Sequence, residues 1–170
     1  MELEVLFYLC VVAFCAGFVD AIAGGGGLIQ TPFGLALLPN LPVSTVIGSL
    51  KIPAFSGTAL AVGQYLKNTK INWMYFFVLA IISFSSAFLG SYTLTIVNND
   101  FMKPLLFVIL LALWIFTYIR KDFASKKLRT LTGKKKWILG IIISILVGFY
   151  DGFIGPATGT FFIMGFIFLI

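Results

Sequence analysis

Gly17-Phe18-Val19-Asp20-Ala21-Ile22-Ala23-Gly24 and Gly148-Phe149-Tyr150-Asp151-Gly152-Phe153-Ile154-Gly155 share one pattern, G-F-x-D-x-x-x-G, set 131 residues apart. Each copy follows a long apolar run and leads into residues that sustain a helix badly: Gly24-Gly25-Gly26-Gly27 after the first, Gly155-Pro156-Ala157-Thr158-Gly159 in the second. Unwound backbone at membrane depth is tolerated only where protein or a water-filled cavity satisfies it. The freed N–H groups, with the positive end of the half-helix that follows, form an anion site. Duplicated broken helices of this kind mark secondary transporters, whose substrate lies between the repeats. The competing reading is close helix packing, because Gly148-x-x-x-Gly152 and Gly155-x-x-x-Gly159 are small-xxx-small motifs.

The composition around these motifs calls for lipid. The 170 residues are 60% hydrophobic and 11% charged, with a mean hydropathy of +1.07. A water-soluble domain of this size cannot bury so much apolar surface. The fold class expected is therefore all-α, a polytopic membrane helix bundle with two internal repeats and Gly/Pro-broken helices. The net charge of +6 does not indicate nucleic acid, because eight of the twelve basic residues crowd into Arg120–Lys136 between apolar runs. That distribution reads as a cytoplasmic loop under the positive-inside rule, with anionic lipid head groups as a secondary partner. The acidic start, with Glu2 and Glu4, lacks the basic region of a signal peptide, so the first run is expected to stay as a span. Cys10 and Cys15 are expected to be free thiols.

The apolar runs are Leu3–Ala23, Leu28–Leu38, Val43–Leu66, Trp73–Val97, Pro104–Ile119 and Trp137–Ile170. Tyr65, Trp73, Tyr75, Tyr118 and Trp137 lie near their ends, as an interfacial belt would. Placing the basic loop inside puts 98–103 outside, 67–72 inside and 39–42 outside by alternation. The inside loops then hold ten basic residues and the outside loop one, Lys103. Domain organisation follows as a first transmembrane repeat over 1–119, a basic cytoplasmic loop over 120–136 and the start of a second repeat over 137–170. The last run reaches Ile170 with no polar exit, and the expectation is a reading frame truncated within its second half. Leu28–Leu38 leaves two topologies open. If it crosses, five spans precede Trp137, the repeats are inverted and the N-terminus is outside. If it re-enters, four precede it, the repeats are parallel and the N-terminus is inside. Eleven residues rise only about 17 Å, which favours re-entry. The acidic N-terminus favours the first arrangement, which is preferred, with Ile22–Leu38 crossing as a broken element.

Candidate residues follow from charge and backbone freedom. Gly24, Gly25, Gly26, Gly27, Gly155, Thr158 and Gly159 would offer backbone groups to an anion, and Ser49 a hydroxyl. Lys51 lies eight residues into its run, where a charge costs about 2.5–3.5 kcal/mol at a helix centre. It would face the cavity and attract an anionic substrate, or else snorkel or pair with Asp20. Pro53 suggests an interruption of the helix there. Asp20 and Asp151 would carry a coupling proton or cap the broken helices. Gln30, Thr31, Ser44 and Thr45 could line a polar path, whereas Ser83, Ser85 and Ser86 read as helix–helix glue.

The stretches Ala16–Pro32, the Lys51 segment ending in Lys70-Ile71-Asn72-Trp73, and Gly148–Thr160 resemble the TauE/SafE sulfite exporter family, also called toluene-sulfonate uptake permeases. The resemblance implies two related halves of seven or eight spans in all, of which this chain would hold the first and the start of the second. It further implies movement of sulfite or organosulfonates across a bacterial or archaeal cytoplasmic membrane. The family often has Thr-Asn-Lys where this chain has Ser49-Leu50-Lys51, so a polar contact at position 50 is absent.

Catalysis fits poorly. With no His there is no Ser–His dyad and no His-ligated metal, and no Gly-x-x-x-x-Gly-Lys-Ser/Thr loop is present. No cofactor or metal is expected, and no nucleic-acid partner. The partners expected are a small anionic substrate and membrane lipid, with a homo-oligomer left open. A non-transporting membrane scaffold is the alternative function, and an intramembrane enzyme the remaining one.

Overall fold

The computed structural model describes residues 3–23, 26–68, 72–119 and 133–167. Among the described residues all regular structure is helical: α1 (Leu3–Ala23), α2 (Gly26–Leu37), α3 (Val43–Asn68), α4 (Trp73–Ile96), α5 (Asn99–Ile119), α6 (Lys134–Phe153) and α7 (Thr158–Ile167). Four described stretches, Leu3–Ala21, Val43–Gln64, Trp73–Ile96 and Lys134–Phe153, are long and apolar enough to cross a membrane. Large side chains point outward, with Phe14 77% and Phe84 76% exposed, while much of the buried surface is small. Such an inside-out distribution suits lipid, where helices gain by close approach of small residues and not by hiding bulk. The protein is an all-α membrane helix bundle.

The chain divides into two compact units, Met1–Asn72 and Trp73–Ile170. In the first, α2 folds back on α1 and α3 on α2. At 12 residues α2 rises about 18 Å, short of a hydrocarbon core of about 30 Å. The α2–α3 contact is made where Gly34 meets Val46 and Leu50; a Cβ there would lie 3.2 Å from Leu50 Cδ1. α3 runs unbroken through Pro53, so the interruption expected there is absent. A membrane helix tolerates one lost N–H bond at a proline. The carbonyl left without its usual donor is that of Ser49, four residues back. Beyond the proline, Ser56 Oγ donates to Pro53 O at 2.8 Å and Thr58 Oγ1 to Ala54 O at 2.9 Å, second donors to carbonyls of the same helix.

The second unit is organised by α4 against α6. The buried face of α6 is Gly140, Ser144, Gly148 and Gly152, one small residue per turn. It packs on α4, where Gly140 meets Tyr75 and Leu79, Gly148 meets Ser83 and Gly152 meets Ala87. Tyr75 OH donates to Lys136 O at 3.3 Å, Ser83 Oγ to Ser144 O at 3.5 Å and Ser91 Oγ to Gly152 O at 3.2 Å, each pair 61 residues apart. A constant offset means that the two helices run parallel. Their first turns therefore share one end of the unit, and α5, whose 21 residues rise about 31 Å, is long enough to return the chain to that end. α5 begins at Asn99, five residues before the expected run, because Asn98 caps it: its Oδ1 accepts from Asp100 N at 3.1 Å.

Two of the three serines expected to join helices do so. Ser86 Oγ donates to Ile145 O at 2.6 Å and Ser83 reaches Ser144, but Ser85 points away and bonds Ile81 O of its own helix at 3.0 Å. Ser86→Ala should lower unfolding stability in detergent by about 1 kcal/mol, and Ser85→Ala should leave it unchanged.

Candidate functional site

Both copies of the duplicated motif form the same local object, a helix that breaks after its aspartate and doubles back as a short helix. Applying the 131-residue offset to α1 (Leu3–Ala23) gives 134–154, against an observed α6 of Lys134–Phe153. The same offset carries Gly34 onto Gly165. The two glycines sit at corresponding places on the short helices, where Gly34 meets α3 and Gly165 lies against Ile143 of α6.

In the first unit the turn is held by an acid. Asp20 Oδ1 accepts from Gly26 N at 2.9 Å, satisfying the first backbone donor of α2. The carboxylate lies at the positive end of the α2 dipole, a favourable place for it. Gly26 is buried so tightly that a Cβ would fall 2.5 Å from Ala16 O and 2.6 Å from Asp20 Cβ. Glycine is thus required there by the close approach of α2 to α1. Gly27 follows, half-buried, while Gly24 and Gly25 lie outside the described residues. Ser49 is exposed and its hydroxyl donates to Thr45 O at 2.9 Å within α3. Lys51 is half-buried, one residue beyond the Leu50 that packs on Gly34. Gln30 is half-buried and Thr31 buried on α2; on α3 Ser44 is half-buried and Thr45 exposed.

In the second unit the break is made by backbone conformation. Gly155 has φ 89° and Ala157 φ 62°, left-handed values that end α6 and restart the chain as α7. Ile154 N and Gly155 N both bond Tyr150 O, at 2.9 and 3.2 Å. Thr158 opens α7, its hydroxyl donating to Gly155 O, and Gly159 follows exposed. Asp151 is half-buried in the last turn of α6. Tyr150, not among the expected site residues, joins the two helices. Its hydroxyl donates to Pro156 O at 2.7 Å and its ring meets Phe161 edge-on at 5.3 Å, so it clamps the break from α6 to α7. The signal was present in the sequence: a phenol beside the motif aspartate where the first copy has Val19.

Gly148 and Gly152 do not join this break. They face α4, where a Cβ on Gly148 would lie 2.8 Å from Ser83 O. The first unit thus gathers Asp20, Gly26 and Gly27, and the second gathers Asp151, Gly155, Thr158 and Gly159. Among the described residues no three metal-ligating side chains cluster, and Cys10 and Cys15 are free and exposed. The basic residues of 120–132, with Lys70 and Ile71, lie outside the described residues, and Lys134, Lys135 and Lys136 form the first turn of α6.

The geometry can be set beside known proteins. A "probable membrane transporter protein" of Sinorhizobium is 31% identical over 98% of the chain and 62% of its own length. One of Haemophilus influenzae is 30% identical over 93% of the chain and 60% of its length. A third, YfcA of Escherichia coli strain K12, is 27% identical over 97% of the chain and 59% of its length. The chain therefore spans about 60% of the length of the curated relatives it matches. No solved structure matches it. The family model described as sulfite exporter TauE/SafE matches residues 9–170, nearly the whole chain and both copies of the motif, and the chain belongs to that family.

Proposed function

We propose that the chain is part of a secondary transporter that moves small anions, sulfite or organosulfonates, across a bacterial or archaeal cytoplasmic membrane. The observation that carries this reading is the helix–break–helix hairpin found twice, each with an aspartate at the break and a short helix beginning beside it. Backbone donors at such a break suit an anion, and Lys51 adds a positive charge within an apolar helix. In the first hairpin the tethered carboxylate of Asp20 already occupies the Gly26 N–H. An arriving anion would displace that carboxylate or approach through Lys51. The family and the relatives' names support a transporter, and the sulfur chemistry rests on the family description alone. Because the relatives are longer, the working unit would include further helices, from a second copy or another segment.

Reconstituting the chain within its complete working unit into vesicles and following labelled sulfite and an aryl sulfonate tests this. Saturable uptake is expected, reduced at least about tenfold by Lys51→Ala, a loss of about 1.4 kcal/mol or more, and partly restored by Lys51→Arg. No movement of either anion, or uptake indifferent to Lys51→Ala, would refute the reading.

A further inference from the structure

We propose that the shared first turns of α4 and α6 form a binding surface for the phosphodiester head group of an anionic phospholipid in the adjoining leaflet. The parallel packing of these helices brings three lysines, Lys134, Lys135 and Lys136, to the same end as Trp73, Tyr75 and Trp137. The aromatic part is assembled. Tyr75 and Trp137 meet edge-on at 4.9 Å, and Trp73 stacks on Phe77 at 5.8 Å. Lys136 Nζ lies 5.5 Å from the centre of the Tyr75 ring, so its ammonium is held over the aromatic layer at the depth where rings prefer to sit. Lys134 and Lys135 are exposed just beyond it.

No acidic residue of these first turns offsets this charge. The α6 dipole also places its positive end under the three ammonium groups, so that it adds to their potential. A cluster built this way beside lipid calls for an anion from the membrane itself. A phosphodiester meets the need, because its acyl chains lie along the apolar flanks of the helices while its charge reaches Lys134 and Lys135. Each lysine near such a surface contributes about fivefold in affinity. This proposal depends on membrane embedding and stands apart from what the protein transports.

The test uses the full chain in bilayers carrying spin-labelled lipid. Labelled phosphatidylglycerol should be retained at the protein several-fold over labelled phosphatidylcholine, and salt should reduce the difference. The K134Q/K135Q double variant, which leaves the Lys136–Tyr75 contact in place, should lose most of the preference. The triple variant with K136Q should bring the two lipids near parity. Equal retention of both lipids by the wild type, or an unchanged preference in the double variant, would overturn the proposal. Displacement of phosphatidylglycerol by millimolar inorganic phosphate at matched ionic strength would overturn it too, since the surface would then be one for free phosphate.

Discussion

Replacing Gly152 with valine is expected to cost about 3 kcal/mol of stability, at the upper end for overpacking a close-packed interior, and to lower Tm in detergent by about 10 °C. A side chain at this position meets the backbone of Ala87, whose carbonyl carbon and Cα would lie 2.6 and 2.8 Å from the new Cβ. Backbone cannot rotate aside, so α4 and α6 must separate. Separation strains the bonds from Ser83, Ser86 and Ser91 to α6 carbonyls. The contact is reciprocal, because a Cβ on Gly90 of α4 would lie 2.9 Å from Phe153 N. Gly17→Ala provides the contrast. Among the described residues nothing lies within 4 Å of a Cβ there, so this change should stay within about 0.5 kcal/mol of wild type. Equal effects at the two positions, read by thermal unfolding, would contradict the packing described.

Asp20→Ala is expected to destabilise the α1–α2 hairpin by about 2 kcal/mol, whereas Asp20→Asn should retain most of the stability. The acceptor matters here, not the charge: Asn still offers an oxygen to Gly26 N, now 2.9 Å from Asp20 Oδ1, while Ala leaves that donor unmet in an apolar setting. Hydrogen exchange at the Gly26 amide reads the effect at its source. It should quicken about thirtyfold in the alanine variant, the factor that 2 kcal/mol represents if local opening bears the whole loss. If Asp20→Asn is as damaging as Asp20→Ala, the negative charge is what the hairpin needs. In that case the α2 dipole outweighs the hydrogen bond.

Much of this was legible along the chain. The length and apolarity of the runs matched α1 to α4 to within two residues, because in lipid each backbone must satisfy itself and continuous helices do so. α5 begins five residues before its run, and the last run, Trp137–Ile170, holds both α6 and α7. The repeat was legible because Gly and Asp are scarce in apolar runs, so a matched pair of G-F-x-D motifs stands out. Pro53 misled because a proline removes one N–H donor, and a helix of 26 residues keeps its course through a single missing bond. Ser85 misled because its neighbours Ser83 and Ser86 do face α6. Three serines within four residues cannot all lie on one side of a helix.

The sequence by itself determined membrane embedding, the long apolar helices and the two helix breaks, all consequences of local backbone chemistry and of the length of the apolar runs. That α2 and α7 double back on the helices before them is a tertiary finding. Tertiary structure alone decided what the motif glycines do. Gly17 and Gly148 hold the same place in the same motif, yet Gly148 is closed against Ser83 while nothing described comes near Gly17. Close approach of two backbones belongs to both helices at once, and no single helix carries the identity of its neighbour. The parallel course of α4 and α6 is of the same kind. It rests on serine hydroxyls reaching carbonyls 59 to 61 residues away, a distance along the chain at which no sequence pattern announces a partner.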